Sequence, residues 1–457
     1  MALISGKKRD TDFTKGPILS SIVVFTLPIF LGNVFQQLYN MVDSIVVGKF
    51  VGANALAAVG SSATTSMILV GLMLGFPAGA SIIASQFLGA GKPERIKTTI
   101  STAMWFLLGL AAVMTILGET FSSAIIRLLN VPENIRPDAL LYFRIYVAGI
   151  VFMAMYNFFA AFLRALGDST TPLIFLIISS LLNIAGDLFF VVTLHMGVAG
   201  VAIATDLAQM VSVILCFIYC SRKNEYFRFK KGELVFDKSL VADIVRYGLP
   251  NSIQSSISGM GMLMVQGLIN SFGSVSMAAY TAAAKMEQLC NLPMTSLSLA
   301  LAVFAGQNIG AQEFDRIKKG HRVSLIFVVC VSAAASALIY FFGQNLMLLF
   351  VNAEEAEVVE IGKTFMRRWA PFVFLHGMSA INTAFLRGFG DSLFAMISSF
   401  SDLGVRMLTA FLFALGLGLG FMGIAWAIPC GWGCCAVVSG LRYLSGRWKN
   451  KAVRSAA

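Results

Sequence analysis

The hydrophobic residues of this chain gather into long runs, and the charged residues fall mostly between these runs. An α-helix rises 1.5 Å per residue, so a run of about 20 apolar residues is long enough to cross the hydrocarbon core of a bilayer. Twelve such runs predict transmembrane helices near residues 17–43, 54–82, 97–118, 139–164, 170–194, 198–220, 243–270, 275–303, 320–343, 369–388, 393–418 and 420–445. The pattern therefore predicts an all-α integral membrane protein.

Composition and charge agree with this prediction and add an orientation. Of 457 residues, 57% are hydrophobic and 12% charged, and the mean hydropathy is +0.80, far above that of soluble globular proteins. Cytoplasmic loops are enriched in Lys and Arg. With both termini in the cytoplasm, most of the 34 Lys and Arg residues fall on that side. We therefore expect a multi-pass membrane protein with both termini on the cytoplasmic side. The net charge of +11 then reflects topology and attraction to anionic lipid, not nucleic-acid binding.

The two halves of the chain repeat one another. Residues 86–97 (QFLGAGKPERIK) resemble residues 307–318 (QNIGAQEFDRIK), and residues 162–168 (FLRALGD) resemble residues 385–391 (FLRGFGD). Six helices, an even number, separate equivalent points, so both copies have the same orientation and form a parallel repeat. We expect one six-helix lobe in residues 1–220 and a second in residues 241–457. The cytoplasmic linker between them, residues 221–240, is expected to be a solvated tether.

Polar residues inside the first copy form a candidate ion site. Asp43, Asp187 and Thr205 each lie nine residues from a predicted outer turn, so all three lie at one depth, about 13 Å below these turns. Asn183 precedes Asp187 by four residues and shares its helix face. Ionisable groups at membrane depth are costly and usually functional. The oxygens of these four side chains would suit Na⁺, and the carboxyl pair alone would suit a proton.

A structural role is the alternative for each of these residues. Asp43 could simply end its helix, and Asp187 could be held by Asn183 or by a neighbouring backbone. Asp206 cannot face the same way as the adjacent Thr205, so we expect it at a different helix interface. Pro28 lies inside the first helix and removes a backbone donor, which permits a kink. This kink could couple protonation of Asp43 to helix bending, and packing around a fixed bend would explain the proline equally well.

Charged residues also fall inside the second copy. Asp402 and Arg406 are four residues apart and are expected to pair within one helix. Lys285 and Glu287 are two apart and do not face one another, so at least one of them needs another partner or an aqueous cavity. Our candidates for the lining of a substrate cavity are Gln36, Asn40, Asn157, Gln254, Lys285, Glu287 and Asn382.

Several of these segments resemble the multidrug and toxic compound extrusion (MATE) transporters of the multidrug/oligosaccharidyl-lipid/polysaccharide flippase superfamily. The likeness is carried by QQLYNMVD at 36–43, AAVG at 57–60, the LRA and LRG segments at 163–165 and 386–388, and GVAIAT at 200–205. It implies a twelve-helix, V-shaped fold with a cavity between two lobes. It also implies export of amphipathic organic cations in exchange for H⁺ or Na⁺.

The resemblance is closer to one branch of the family than to another. In the DinF-like branch, the ion site consists of an acid in helix one, an Asn-x-x-x-Asp pair in helix five and a Thr in helix six. These positions match Asp43, Asn183, Asp187 and Thr205 here, and Pro28 matches that branch's helix-one proline. The NorM-like branch places key acids in helices seven and ten. This sequence has no acid at residues 250–270 or 371–388.

Three other functions are weighed against this expectation. A lipid-linked oligosaccharide flippase of the same superfamily should have a basic cavity, and only Lys285 and Arg406 are predicted in the interior. A major facilitator transporter should carry Gly-x-x-x-Asp-Arg after helix two, where this chain reads GAGKPER at 89–95. A membrane enzyme would need a nucleophile or a metal-binding motif, and none is evident. We expect a monomeric transporter with no cofactor beyond its coupling ion, whose partners are a small organic substrate and the bilayer.

Overall fold

The computed structural model describes residues 11–128, 131–352 and 354–450, and these ranges contain fourteen α-helices and no β-strand. The helices are α1 (Ile18–Val46), α2 (Ala53–Gly89), α3 (Pro93–Leu128), α4 (Arg136–Ala148), α5 (Ile150–Ala165), α6 (Thr170–Asp187), α7 (Gly197–Lys223), α8 (Lys238–Asn270), α9 (Gly273–Gly310), α10 (Phe314–Met347), α11 (Ala356–Trp369), α12 (Val373–Gly388), α13 (Ser392–Phe411) and α14 (Phe421–Leu444). Short π-helical segments, Val47–Val51, Leu188–Thr193 and Leu412–Gly416, extend α1, α6 and α13.

The lengths and hydropathy of these helices confirm the prediction of an all-α membrane protein. Within the described residues, nine helices are long and apolar enough to cross a bilayer, or ten if α4 and α5, which are bent by 46° at their junction, form one span. Helix α8 occupies the predicted span at 243–270, and α12 occupies most of the predicted span at 369–388. The observed helices thus lie at the predicted positions, and several extend well beyond the apolar runs.

Local sequence explains where several helices begin. Gly52 separates α1 from α2 with φ +115°, a conformation that residues with a Cβ rarely adopt. Pro93 opens α3, where its missing N–H removes no helical hydrogen bond. Asp168 accepts hydrogen bonds from the backbone N–H groups of Thr170 (3.2 Å) and Thr171 (3.0 Å) at the start of α6. Gly52 and Asp168 thus lie at the ends of elements that carry candidate-site residues, after α1 and its π-helical extension and before α6.

The chain forms two compact units, the first ending at Ser256 within α8 and the second beginning at Ile257. In the first unit, α6 packs against α1 and α7, while α2 packs against α3, α4 and α5. In the second unit, α12 packs against α9, α10 and α14, and α13 packs against α14. The rings of Trp369 and Trp432 meet edge to face at 6.0 Å within the core of the second unit. The two lobes expected from the repeat, 1–220 and 241–457, stay a prediction.

The linker between the two copies contacts the first unit at several points, although most of its residues are exposed. Phe227 is buried, and its ring lies 5.7 Å from that of Phe159 on α5. Lys97 on α3 pairs with Glu233 at 3.1 Å. The expectation of a solvated tether stays a prediction, and these contacts depend on which helix lies beside the linker, which the local composition does not show.

Candidate functional site

The four predicted ion-site residues lie on three helices of the first unit, of which α6 packs against both α1 and α7. Asp43 lies in the last turn of α1, and Asp187 is the last residue of α6. Each acid is followed within four residues by a π-helical segment, a wide turn that is frequent at functional sites. Thr205 lies on α7. A Cβ at Gly186 on α6 would lie 3.1 Å from the Cβ of Ala204 on α7. This close approach brings Asp187 and Thr205 to one interface.

Hydrogen bonds join three of these side chains. Asn183 is 2% exposed, Asp187 0% and Thr205 8%. When the amide of Asn183 is oriented so that both of its polar atoms find partners, it donates to Asp187 Oδ2 (3.3 Å) and accepts from Thr205 Oγ1 (3.2 Å). The amide thus links the carboxyl group on α6 to the hydroxyl group on α7. Buried polar groups need such partners, because leaving them unpaired away from water is costly.

The two carboxyl groups face one another across the α1–α6 interface. Asp43 and Asp187 lie within side-chain hydrogen-bonding range of each other. One oxygen of each, Oδ1 in both residues, is buried and has no hydrogen-bond partner among the residues that the structure describes. Two carboxylates in one buried site repel one another, so either one of them takes up a proton or both share a bound cation. The pair is therefore suited to hold one small positive charge.

The oxygens present fit either coupling ion. Na⁺ prefers hard oxygen ligands, and the four residues offer three kinds of oxygen donor: the carboxylates of Asp43 and Asp187, the Asn183 carbonyl and the Thr205 hydroxyl. In the described part of the chain, no group of three or more His, Cys, Asp or Glu side chains is arranged so that it could hold a metal ion. A metal ion here would therefore be held by two carboxylates and by neutral oxygens. A proton would need only the two carboxyl groups.

Tyrosines that the sequence analysis did not single out surround the pair. Tyr39 lies close to Thr205 and within electrostatic range of both acids. Tyr142 on α4, 6% exposed, lies near Asp43 and stacks on Tyr146 at 6.2 Å between ring centroids. Tyr39 precedes Asp43 by four residues on α1, so helical spacing could have identified it. The position of Tyr142 depends on how α4 packs, which its sequence does not reveal.

Asp206 lies at a different interface from Thr205, as predicted. Its carboxyl group packs against Gly149, which separates α4 from α5 where the chain bends by 46°. A Cβ at Gly149 would lie 2.1 Å from the carboxyl carbon, far inside van der Waals contact. Tyr142 and Tyr146 on α4 lie within electrostatic range of Asp206. A third acidic group is therefore built into the bend beside the ion site.

The other predicted site residues are spread over the molecule. Pro28 lies inside α1, and Gln36 and Asn40 are exposed on the same helix. Asn157 donates to the Met153 carbonyl oxygen at 2.9 Å, and Gln254 is half-buried on α8.

In the second unit, Lys285 is exposed, while Glu287 pairs with Arg406 at 3.6 Å. Asn382 is buried and donates to the Ala436 carbonyl oxygen at 3.3 Å. The predicted pair of Asp402 and Arg406 is confirmed at 3.3 Å. A cavity-lining role for any of these residues stays a prediction.

Comparisons with known proteins agree over nearly the whole chain. The MatE family model matches residues 28–189 and 249–428. The probable multidrug resistance protein YoeA of Bacillus subtilis (strain 168) is 30% identical over 450 residues, which cover 96% of each protein. YpnP of the same organism, also a probable multidrug resistance protein, is 29% identical over 440 residues, covering 96% of this chain and 97% of YpnP. A crystal structure of MATE in complex with MaL6 has the same fold, with a TM-score of 0.91 at 23% identity, covering 97% of this chain and 100% of that chain.

Proposed function

Because the chain belongs to the MATE family, we propose that it is a secondary active antiporter that exports amphipathic organic cations in exchange for H⁺ or Na⁺. The observation that carries this proposal is the pair of Asp43 and Asp187, because each acid has one buried oxygen without a hydrogen-bond partner among the described residues, and the two together suit one small cation. The names of the relatives, multidrug resistance proteins, support an organic drug-like substrate. Transport of an unmodified compound needs no catalytic residues.

Exchange by alternating access requires that the ion and the substrate each prefer one conformation, since a ligand shifts an equilibrium only by its differential affinity. We propose that occupancy of the pair sets this preference. With a proton or Na⁺ bound, α1 and α6 are held together through the two carboxyl groups. Without it, the like charges repel and favour a different packing of α1. Pro28 supports this step, because its missing backbone donor leaves α1 easier to bend at that turn.

The energy available matches export against a substantial gradient. A membrane potential of about 100 mV acting on one net charge supplies about 2.3 kcal/mol, which sustains roughly a fifty-fold gradient. A monovalent drug exchanged for one proton moves no net charge, and the pH gradient drives that exchange instead. We propose that the protein works as a monomer in the bacterial inner membrane with both termini in the cytoplasm. The uneven distribution of Lys and Arg supports this orientation.

Efflux from proteoliposomes tests the proposal directly. The substrate would be a fluorescent organic cation, with pH and Na⁺ gradients imposed separately. We expect wild-type protein to couple efflux to one of the two gradients, and Asp43→Asn and Asp187→Asn to lose that coupling. Asp315→Asn is the matched control, because this carboxylate is 87% exposed on α10 and should be replaceable. Coupled efflux at the wild-type rate by both site variants, with normal insertion, would refute the proposed ion site.

A further inference from the structure

A second cluster of ionisable side chains lies inside the second unit, on helices that the proposed ion site does not use. Arg406 on α13 pairs with Asp402 one turn away (3.3 Å) and with Glu287 on α9 (3.6 Å). The Arg406 guanidinium also lies 5.8 Å from the ring centre of Trp432 on α14. The three charged side chains are only 16–25% exposed, within helices of membrane-spanning length. One positive and two negative charges are thus enclosed together.

The formal charges of this cluster do not sum to zero. Two carboxylates against one guanidinium leave one net negative charge, and an uncompensated charge inside a membrane protein is costly. Lys285 is close in sequence, but it is exposed, and no ion pair to it is present among the described residues. Arg406 already occupies the position between the two carboxylates that a metal cation would take. The missing positive charge is therefore best supplied by a proton.

His376 on α12 adds a group that can hold such a proton. Its ring lies 5.2 Å from that of Trp432 and within electrostatic range of Asp402 and Arg406. Both ring nitrogens are buried and lack a hydrogen-bond partner among the residues that the structure describes, and Asp402 Oδ1 likewise has only its ion pair. A histidine whose two ring nitrogens are both buried and have no partner among the described residues is unusual, because buried polar groups are normally paired.

The packing holds Asp402 in place. A Cβ at Gly431 on α14 would lie 2.2 Å from Asp402 Oδ1 and 2.8 Å from its backbone oxygen, so α13 and α14 meet without space between them at this point. The other titratable groups near the charged residues are Tyr280 and Cys290 on α9 and Cys435 on α14. All three are neutral when protonated, so none of them supplies the missing positive charge.

We propose that Glu287, His376, Asp402 and Arg406 together bind one exchangeable proton, which makes the second unit a protonation site of its own. The proton belongs to the cluster as a whole, since closely coupled groups titrate together. It is taken up from water and released to water without any bond change elsewhere. If the proposed antiport function holds, this site adds a second proton to the transport cycle. The binding of the proton itself does not depend on that function.

Spectroscopy on the full-length protein in lipid nanodiscs tests this proposal without a transport assay. The chain has three histidines, His195, His321 and His376, so ¹⁵N-histidine NMR separates their signals, and His376→Gln assigns the third. Infrared difference spectra report protonated carboxyl groups. The background is Asp43→Asn with Asp187→Asn, which removes the first site's carboxyl signal. We expect one proton to leave Glu287, His376 or Asp402 as the pH is raised through the neutral range.

The variants make the expected result specific. Glu287→Gln and Asp402→Asn each remove one negative charge and leave the cluster neutral without a bound proton. Each variant should therefore abolish the release of that proton. Asp315→Asn should retain it. The proposal is overturned if none of the three groups changes protonation between about pH 4 and pH 10 in protein that is folded. It is also overturned if the release persists unchanged in both variants. Neither result would affect the test of the Asp43 and Asp187 pair, which is measured by coupled efflux.

Discussion

Replacing Gly149 by alanine should disturb the candidate ion site through Asp206. Gly149 has φ −84°, an ordinary value for any residue, so the backbone does not demand glycine. The Asp206 carboxyl group does require glycine at this position, because a Cβ at residue 149 would lie 2.1 Å from the carboxyl carbon and 2.1 Å from Oδ1. Ordinary carbon contacts are about 3.5 Å or longer, so Asp206 or α5 must move by more than about 1 Å. Such overpacking costs about 1–3 kcal/mol.

Thermal unfolding in detergent and efflux from proteoliposomes measure this effect together. We expect Gly149→Ala to melt below wild type and to couple efflux less well, because Asp206 is adjacent to Thr205. Gly109→Ala on α3 is the matched control, since nothing lies within 4 Å of its Cβ and alanine is the better helix former by about 0.8–1 kcal/mol. Shortening the acid in the double variant Gly149→Ala, Asp206→Ser should recover stability. Equal melting temperatures for Gly149→Ala and Gly109→Ala would refute the steric argument.

Two further predictions concern other parts of the fold. Arg442→Gln should lower the free energy of unfolding by about 3–5 kcal/mol, because it removes one partner of a buried ion pair, in which Arg442 Nε lies 2.7 Å from Asp391 Oδ2 and the two side chains are 10% and 4% exposed. Lys318→Gln breaks an exposed pair and should change this free energy by less than about 1 kcal/mol. In the linker, hydrogen bonds from Lys230 and Lys97 lower the pKa of Glu233. Burial raises the pKa of Asp237, but hydrogen bonds from Ser239 and Leu240 and the charge of Arg95 outweigh burial, so this pKa is also lowered. The contacts of Glu233 and Asp237 should therefore be fully present above the ordinary carboxyl pKa values and should weaken as the pH falls through the lowered pKa values of these two groups. Acid-active proteases should then cut the linker faster below about pH 4. A cleavage rate that does not change with pH would contradict this.

The apolar runs predicted the helices well because a membrane span must satisfy its backbone internally and be apolar over its length. The ends were less predictable. The π-helical segments after Asp43 and Asp187 carry no distinctive composition, and they arise where neighbouring helices fix the last turns. The turn glycines Gly167 (φ +96°) and Gly390 (φ +83°) lie 223 residues apart, so the spacing of the internal repeat is also the spacing of two equivalent turns.

Counting residues from the turns brought Asp43, Asp187 and Thr205 to one level, and the structure places them together. That estimate needed only the rise of a helix. The same estimate could not predict that Tyr142 lies near Asp43, and it did not identify the partner of Glu287. Both contacts depend on which helices become neighbours. The contact of Arg406 with Glu287 joins residues 119 positions apart on two helices, and no periodicity within either helix indicates it. The contacts that sequence reasoning missed are therefore those that depend on which helices become neighbours.

The central claim is that Asp43 and Asp187 bind the coupling ion in competition with substrate, and the linkage between the two ligands measures it most directly. The measurement is the Kd of purified protein for a fluorescent organic cation as a function of pH and, separately, of Na⁺ concentration. The account predicts a Kd for wild-type protein that rises up to tenfold for each tenfold increase in H⁺ or Na⁺ activity, since coupled binding is reciprocal. When both acids are replaced by asparagine, it predicts the loss of any dependence on Na⁺, or the loss of the part of the H⁺ dependence that this pair contributes, so that only the proton of the second unit can still affect the Kd. An unchanged dependence in the double variant would contradict it.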